Sequence, residues 1–347
     1  MRNEVRSLQS LRSVFLLLIF LSHFSYGEVR SLYGGGDCGV CFFFILSGFV
    51  LSLGYGKKVE AREFSHFHFL GKRLRRLYPV HLFCLLLLTV HHFLQGETPS
   101  GLPLWANVFL VQSWIPDAAF FFSGNSVAWF LSDMLFFYLV FPLAYKLIYR
   151  LQVAKLLLFS FLVLAAYLVF ALSLQEESVL PFLYIFPLTR LIDFCIGIGM
   201  SRLYQWLNSR AEGNGWKEIK TGRATLLELT MLGGLTVLFL VDPYVDSRLG
   251  TSALFWLWIP LLIVVFSLLD KGRGAFTRLL HHPVLLWTGS ISFEFYMVHQ
   301  LVIQGVMIFL MKTQATLSYP VVLFICLMGS VLLAAVVHWL FRRITLS

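Results

Sequence analysis

Long apolar runs separated by short polar segments extend over the whole chain, and most runs are long enough for a helix to cross a bilayer. Residues 103–122 break this pattern with prolines and polar side chains, which predicts an external loop with a partly buried, re-entrant or interfacial piece. The chain is therefore predicted to be an all-α, polytopic membrane bundle, with residues 1–347 forming a single integral-membrane domain. About ten spans are predicted, at roughly 11–28, 38–56, 77–95, 127–148, 153–173, 182–205, 224–242, 251–269, 285–311 and 319–341.

The basic residues predict how this bundle is oriented. Lysines and arginines are concentrated in alternate loops, as the positive-inside rule describes for cytoplasmic segments. If the N-terminus is cytoplasmic, all 27 lysines and arginines except Arg30, Arg190, Arg248 and Lys312 lie in the cytoplasm. The sequence therefore predicts that both termini are cytoplasmic. An eleventh crossing at 103–122 would invert every later loop and remove this bias.

The composition agrees with a membrane protein, since 58% of the residues are hydrophobic and only 13% are charged. The net charge of +9 does not indicate a nucleic-acid partner, because the basic residues lie in loops between apolar runs. The first apolar run has no small-residue cleavage site, so no cleavable signal peptide is predicted. Cys38 and Cys41 form a CxxC without a second pair or a histidine partner, which favours small packing residues, and no metal is expected.

Ionisable side chains inside apolar runs are costly in a bilayer, so each one is a candidate functional residue. The candidates are His23, Asp133, Arg190, Asp193, Glu294 and His299. Arg190 and Asp193 are three residues apart on one predicted helix, and their charges can neutralise each other there. For this pair a structural role is the leading interpretation.

Arg12 and His23 lie eleven residues apart, which is close to three helical turns, so both side chains share one helix face. Their separation along the axis is roughly 16 Å, about half of a bilayer core. A histidine that only bonds a neighbouring helix needs no cation on the same face. A general base that acts on a substrate held by its phosphates would use both residues.

Arg73 and Arg76 share a face at the start of the third span, just before Tyr78-Pro79. One interpretation is anchoring at the cytoplasmic surface, as in many positive-inside clusters. The other is an anion clamp, because two guanidinium groups on one face can bind phosphates bidentately. The glycines in "GGGDCGVCFFFILSGFV" likewise favour either close helix packing or a channel for a thin, extended chain.

Six segments in order resemble the acyltransferase 3 family, the integral-membrane O-acyltransferases that modify bacterial surface glycans. The family's Arg-x10-His helix falls on Arg12 and His23, and its Arg-x-x-Arg followed by Tyr-Pro falls on Arg73, Arg76 and Tyr78. The other matching segments are "GVCFFFILSGFVLS", "VAWFLSDMLFFYLVFPL", "RLIDFCIGIGM" and "WTGSISFEFYMVHQLVI". Two positions depart from the family pattern, which usually has Glu or a neutral residue at Asp133 and an acidic residue at Cys41.

The resemblance implies an O-acyltransferase of the bacterial cytoplasmic (inner) membrane, acting as an O-acetyltransferase in most members. The donor would be cytoplasmic acyl-CoA, usually acetyl-CoA, as a co-substrate, with no permanently bound cofactor. The acceptor would be a hydroxyl of a cell-surface glycan or a lipid-linked saccharide. Arg12, Arg73 and Arg76, together with Tyr78, would bind the donor.

The same resemblance assigns the chemistry to His23, which would either take the proton of the acceptor hydroxyl or carry the acyl group itself. Asp133 or Glu294 would orient its imidazole. Ser132 or Tyr296 would polarise the carbonyl, and His299 would be a second base or a hydrogen bond within the bundle.

Two other classes of protein remain open from the residues alone. A transporter or flippase for a polar glycan or lipid precursor would also place charged groups inside the bundle, although the inverted repeats common in such folds are not visible. A membrane scaffold without chemistry would leave the cost of His23, Asp133 and Glu294 unexplained.

Overall fold

The computed structural model describes residues 5–94, 101–211 and 219–346, and this part of the chain is almost entirely helical. Its only extended pairing is an isolated bridge between Tyr26 and Val29, in the loop after the first helix. The all-α prediction is therefore confirmed for the described residues. The helices, numbered in chain order, are α1 Arg6–His23, α2 Gly35–Glu60, α3 His66–Leu94, α4 Leu102–Val108, α5 Ala118–Phe121, α6 Trp129–Arg150, α7 Val153–Ser173, α8 Glu176–Val179, α9 Pro187–Ala211, α10 Thr221–Val241, α11 Ser247–Gly250, α12 Trp258–Leu268, α13 Ala275–Leu280, α14 Pro283–Ser290, α15 Ser292–Thr313 and α16 Tyr319–Leu346.

Six helical segments in the described residues are long and apolar enough to cross a membrane, and a seventh is bent. The bent span joins Glu176–Ile185 to Pro187–Arg210 at 47°. Arg6, Gln9 and Arg12 make α1 more polar, and the predicted span at 77–95 reaches past the described end of α3. The predicted count of about ten spans is therefore not confirmed. The six are Gly35–Glu60, Trp129–Arg150, Val153–Ser173, Thr221–Tyr244, Ser292–Thr313 and Tyr319–Arg342.

Helices α2 and α9 cross at a point where glycines let the two backbones touch. A side chain on Gly48 would collide with the carbonyl of Phe194, and one on Gly197 would collide with the carbonyl of Ile45. Small residues at such crossings give the close packing on which membrane helices depend. The packing interpretation of the glycines around Ser47-Gly48 is therefore confirmed.

Residues 103–122 are partly buried in the helix bundle, as the sequence predicted. Asn107, Gln112 and Ser113 are fully buried or nearly so, although all three are polar. The imidazole of His81 on α3 hydrogen-bonds the carbonyl of Asn107 at 2.9 Å, which holds the segment against that helix. Short helices and turns replace a continuous span here because prolines and polar residues interrupt it.

The two cysteines of the CxxC are buried, free thiols at the start of α2. They pack in an apolar cluster with Leu11 and Phe15 of α1. Their environment agrees with small packing residues.

Candidate active site

His23 and His299 are in direct contact, although 276 residues separate them in the chain. Nδ1 of His23 lies 2.9 Å from Nε2 of His299, which stands on α15 and is fully buried. His23 is the last residue of α1, and the chain leaves the helix there with Phe24 in extended conformation. The predicted span of 11–28 was therefore wrong at its end, and the imidazole lies at a helix terminus rather than inside a longer helix.

The hydrogen bonds of His299 determine which nitrogen of His23 carries its proton. Nδ1 of His299 lies 2.7 Å from the carbonyl oxygen of Tyr296, and a carbonyl oxygen can only accept. With both rings neutral, Nε2 of His299 is then an acceptor, and Nδ1–H of His23 donates to it. This arrangement leaves the lone pair on Nε2 of His23, where it can accept a proton from a substrate.

The two carboxylates predicted to orient His23 are placed elsewhere. Asp133 is fully buried on α6, and its electrostatic neighbours are Arg190 and Asp193 rather than His23. Neither of its carboxyl oxygens meets the geometry of a hydrogen bond among the described residues, although the hydroxyl of Ser113 lies close to them.

Glu294 bonds a different histidine, His338 of α16, whose Nδ1 lies 2.9 Å from its Oε1. The spacing of residues within one helix could not predict these partners, because the partners lie on other parts of the chain.

The hydroxyls predicted to polarise a carbonyl are already engaged. Ser113 donates a hydrogen bond of 2.6 Å to Ser132, and both side chains are buried. The phenol of Tyr296 donates to the carbonyl of Val127 at 3.0 Å. Gln300, which the sequence analysis missed, lies one turn beyond Tyr296 on α15. Its amide oxygen accepts a hydrogen bond from Ser126, and the N–H2 group is the donor of the same amide.

Arg12, Arg73 and Arg76 line one cavity, here called the arginine cavity. Four helices supply its arginine and serine side chains, since Ser47 of α2 and Ser292 of α15 are also part of the wall. The juxtaposition of Arg12 with the Arg-x-x-Arg pair, which the resemblance implied, is present in the structure. Three guanidinium groups around one opening form a site suited to the phosphates of an anionic ligand.

Aromatic rings fix Arg73 in the wall of the arginine cavity. Its guanidinium carbon lies 5.3 Å from the ring centres of both Tyr55 and Phe69, and 5.7 Å from that of Tyr138. Arg76 is exposed, so it can reach a ligand at the opening. Tyr78 does not line this cavity, because its hydroxyl donates to the carbonyl of Val108 at 2.5 Å and holds the partly buried segment.

A second cavity contains His23, and we call it the histidine cavity. It is lined by Ile19, His23, Val40, Phe122, Ser126, Val127, Trp129, Tyr184, Tyr296 and Gln300. Tyr296 lines both this cavity and the arginine cavity, so its side chain is a shared wall between them. A ligand chain from the arginine cavity would therefore meet His23 by passing Tyr296.

His23 also lines a third cavity, which we call the acidic cavity. Asp37, Glu176 and Asp242 supply its charged groups, and Tyr184 is shared with the histidine cavity. Sequence reasoning missed all three carboxylates. Asp37 directly follows the three glycines of "GGGD", which was a signal that the backbone there comes close to other groups.

Arg190 and Asp193 form the buried ion pair that their spacing predicted. Nε of Arg190 lies 3.1 Å from Oδ2 of Asp193, and both side chains are essentially inaccessible. Trp256 and Ser252 donate further hydrogen bonds to the carboxylate. Cys41 also contacts it, with its sulfur 3.5 Å from Oδ1. The pair ties α9 to α2 and to the loop before α12, in agreement with a structural role.

The fold and this site define an enzyme of the membrane. The family model described as an acyltransferase domain matches residues 5–339, so the chain belongs to the acyltransferase 3 family and is an acyltransferase. The family and the apolar helices together indicate a multi-pass membrane protein.

Among its relatives is Acyltransferase MdmB of Streptomyces mycarofaciens, which is 28% identical over 286 residues. The alignment covers 78% of this chain and 68% of that protein. No solved structure matches the chain.

Proposed function

We propose that this protein is an O-acyltransferase that moves an acyl group, in the first instance acetyl, from cytoplasmic acyl-CoA to a hydroxyl of a cell-surface or lipid-linked glycan. The observation that carries the proposal is the position of His23. Its Nε2 acceptor is set by His299. The residue lines the acidic cavity and also the histidine cavity, which shares Tyr296 with the arginine cavity.

In the proposed orientation both termini and the arginine cavity face the cytoplasm of a bacterium, and the acidic cavity faces the other side of the inner membrane. The loop charges support this orientation, since the arginines of α3 and the basic residues beside them belong to the cytoplasmic set. The proposed topology has about ten crossings, with α1, α3 and Ala253–Leu268 adding to the segments that are apolar throughout.

The donor would be held by its phosphates at Arg73, Arg76 and Arg12, where guanidinium groups give charge-assisted hydrogen bonds. Its pantetheine arm would extend past Tyr296 toward the histidine cavity. The roughly 16 Å between Arg12 and His23 along α1 is the distance that the arm would cover. No other cofactor is needed for this transfer.

The transfer itself needs one base and one donor to the carbonyl oxygen. Nε2 of His23 would accept the proton of the acceptor hydroxyl while that oxygen attacks the thioester carbonyl. The C–O bond forms, the C–S bond breaks, and the imidazolium returns the proton to the leaving thiolate. In the alternative route, Nε2 attacks the thioester carbonyl, the C–S bond breaks, and thiolate leaves an acyl-imidazolium on His23. The acceptor oxygen then attacks that acyl group, the C–N bond breaks, and the hydroxyl proton goes to the thiolate. In both routes the N–H2 group of Gln300 would stabilise the oxyanion.

The test is acyl transfer by the purified protein with radiolabelled acetyl-CoA and extracted cell-envelope glycans, analysed by mass spectrometry for an added acetyl group. His23→Ala should abolish transfer while the protein stays folded and inserted in the membrane. The exposed His68→Ala is the matched control and should behave like the unmodified protein. Retained O-acylation in His23→Ala would refute the mechanism, and substrate transport without any need for acyl-CoA would favour a transporter.

A further inference from the structure

Three carboxyl groups line the acidic cavity without a lysine or an arginine to pair with them in the part of its wall that the structure describes. Asp37, Glu176 and Asp242 line it, and none of its described lining residues is a lysine or an arginine. Arg248, the basic residue of α11, pairs with Asp246 at 3.5 Å. The cavity therefore presents carboxylates to whatever occupies it.

Asp242 is a buried acceptor without a partner. Only 2% of its surface is exposed, and its Oδ2 has no hydrogen bond among the described residues. The backbone is shaped to admit this carboxylate, because Gly34 has a positive φ of 67° and any side chain there would collide with Asp242. A buried acceptor left unpaired is costly, so a donor supplied by a ligand would stabilise this site.

The phenol of Tyr33, in the loop before α2, is also affected by these carboxylates. Its pKa is raised by desolvation and then by the negative charges of Asp242, Asp37 and Glu176. Tyr33 is 60% exposed and lies at the rim of the cavity, so the negative potential of the carboxylates extends to the opening of the cavity.

The geometry is that of a site for an extended ligand rather than for a metal ion. No group of three histidine, cysteine or carboxylate side chains among the described residues converges closely enough to hold a metal. The cavity has a volume of about 450 Å³, within the range of sites for small organic ligands. Ser22, Ser247 and Thr251 add hydroxyls to the wall, which suits a ligand with hydroxyl groups of its own.

We propose that the acceptor is a hydroxylated amine, of the amino-sugar class, and that its ammonium group binds between Asp242 and Glu176 while one of its hydroxyls faces His23. The inference rests on the proposed function, because it treats the acidic cavity as the acceptor side of the acyltransferase. A protonated amine gives charge-assisted hydrogen bonds to the unpaired Oδ2 of Asp242 and to Glu176, whose Oε1 already accepts a hydrogen bond from Ser247 at 2.8 Å, whereas an anionic sugar is repelled.

The experiment measures binding to the purified full chain in detergent at neutral pH, without any acyl donor. The probes are methyl glucosaminide, methyl glucoside and methyl glucuronide, which differ mainly in carrying one positive, no or one negative charge. The glucosaminide should bind about tenfold more tightly than the glucoside, and the glucuronide should bind most weakly. Asp242→Asn and Glu176→Gln should each move the ratio of glucosaminide to glucoside affinity toward one.

Glu177→Gln is the matched control, since Glu177 neighbours Glu176 but does not line the cavity, and it should keep the full ratio. Equal affinity for the three probes, a preference for the glucuronide, no binding of any probe, or a ratio that survives both variants would each overturn the inference.

Transfer from acetyl-CoA is then assayed separately with the same probes. Transfer without charge preference would overturn the inference alone, whereas amine binding without transfer to any acceptor would overturn the proposed function.

Discussion

His299 reaches across from α15 to place its Nε2 2.9 Å from Nδ1 of His23, the last residue of α1. The same ring is anchored through its Nδ1 to the carbonyl of Tyr296. In the proposed mechanism, this buried imidazole would fix one tautomer and one ring orientation of His23, as a carboxylate does for the catalytic histidine of many enzymes.

Removing His299 should reduce catalysis without weakening donor binding. We expect His299→Leu to lower kcat about 10- to 100-fold with little change in KM, because His23 remains but its tautomer is no longer fixed. His299→Gln should recover part of the loss, since its amide oxygen can accept from Nδ1–H of His23. Steady-state rates of CoA release would measure both variants. Full activity in His299→Leu at an unchanged melting temperature would contradict a positioning role.

Arg76 and Arg75 are neighbours that allow a matched comparison of the arginine cavity. Arg76→Gln should raise the KM for acetyl-CoA about tenfold while kcat stays similar, because a charge-assisted contact to phosphate is lost. Arg75 does not line the cavity, so Arg75→Gln should leave this KM nearly unchanged. Added salt should raise KM for the unmodified protein more steeply than for Arg76→Gln. Equal effects of the two substitutions would indicate that Arg76 anchors the helix at the membrane surface and does not bind the donor.

Gln300 should act on the transition state rather than on binding. Gln300→Met keeps a similar side-chain length but removes the amide donor, and we expect kcat to fall by about 10²-fold. KM for the donor should change little, because Gln300 lines the histidine cavity and not the arginine cavity. A large rise in KM with an unchanged kcat would show that the amide binds substrate instead.

Glu294 is expected to contribute to stability through its bond to His338. Glu294→Gln weakens a charge-assisted contact between α15 and α16, and the free energy of unfolding should fall by about 1–3 kcal/mol. The melting temperature in detergent would report the change, and His338→Ala should lower it without adding to the effect of Glu294→Gln. Because Glu294 does not contact His23, the variant should keep its kcat below the melting temperature. A strong loss of kcat in a stably folded variant would indicate that Glu294 orients the imidazole of His23 after all.

The α2–α9 crossing should tolerate no added side chain at its glycine contact. Gly48→Ala places a methyl group against the carbonyl of Phe194, and overpacking of this kind costs roughly 1–3 kcal/mol. Gly54→Ala on the same helix is the control, because nothing lies within 4 Å of the added carbon. That variant should be neutral or slightly more stable, since alanine favours the helix over glycine. The two melting temperatures would test the crossing directly.

The sequence by itself determined the features that depend on the spacing of residues along one helix or within one loop. Apolar runs predicted the helical bundle, and helical spacing placed Arg12 and His23 on one face, while the small residues around Gly48 indicated a close crossing. Charge spacing also predicted the ion pair of Arg190 and Asp193, which are near neighbours on α9. These features depend on local periodicity, which the order of residues fixes directly.

Tertiary structure alone decided which side chains of different helices meet. His299 rather than Asp133 or Glu294 became the partner of His23, and Tyr78 turned away from the arginine cavity to Val108. Asp37 and Asp242 came together in the acidic cavity from distant parts of the chain. Such contacts depend on how helices cross and rotate against one another, and the periodicity of a single helix carries no information about either.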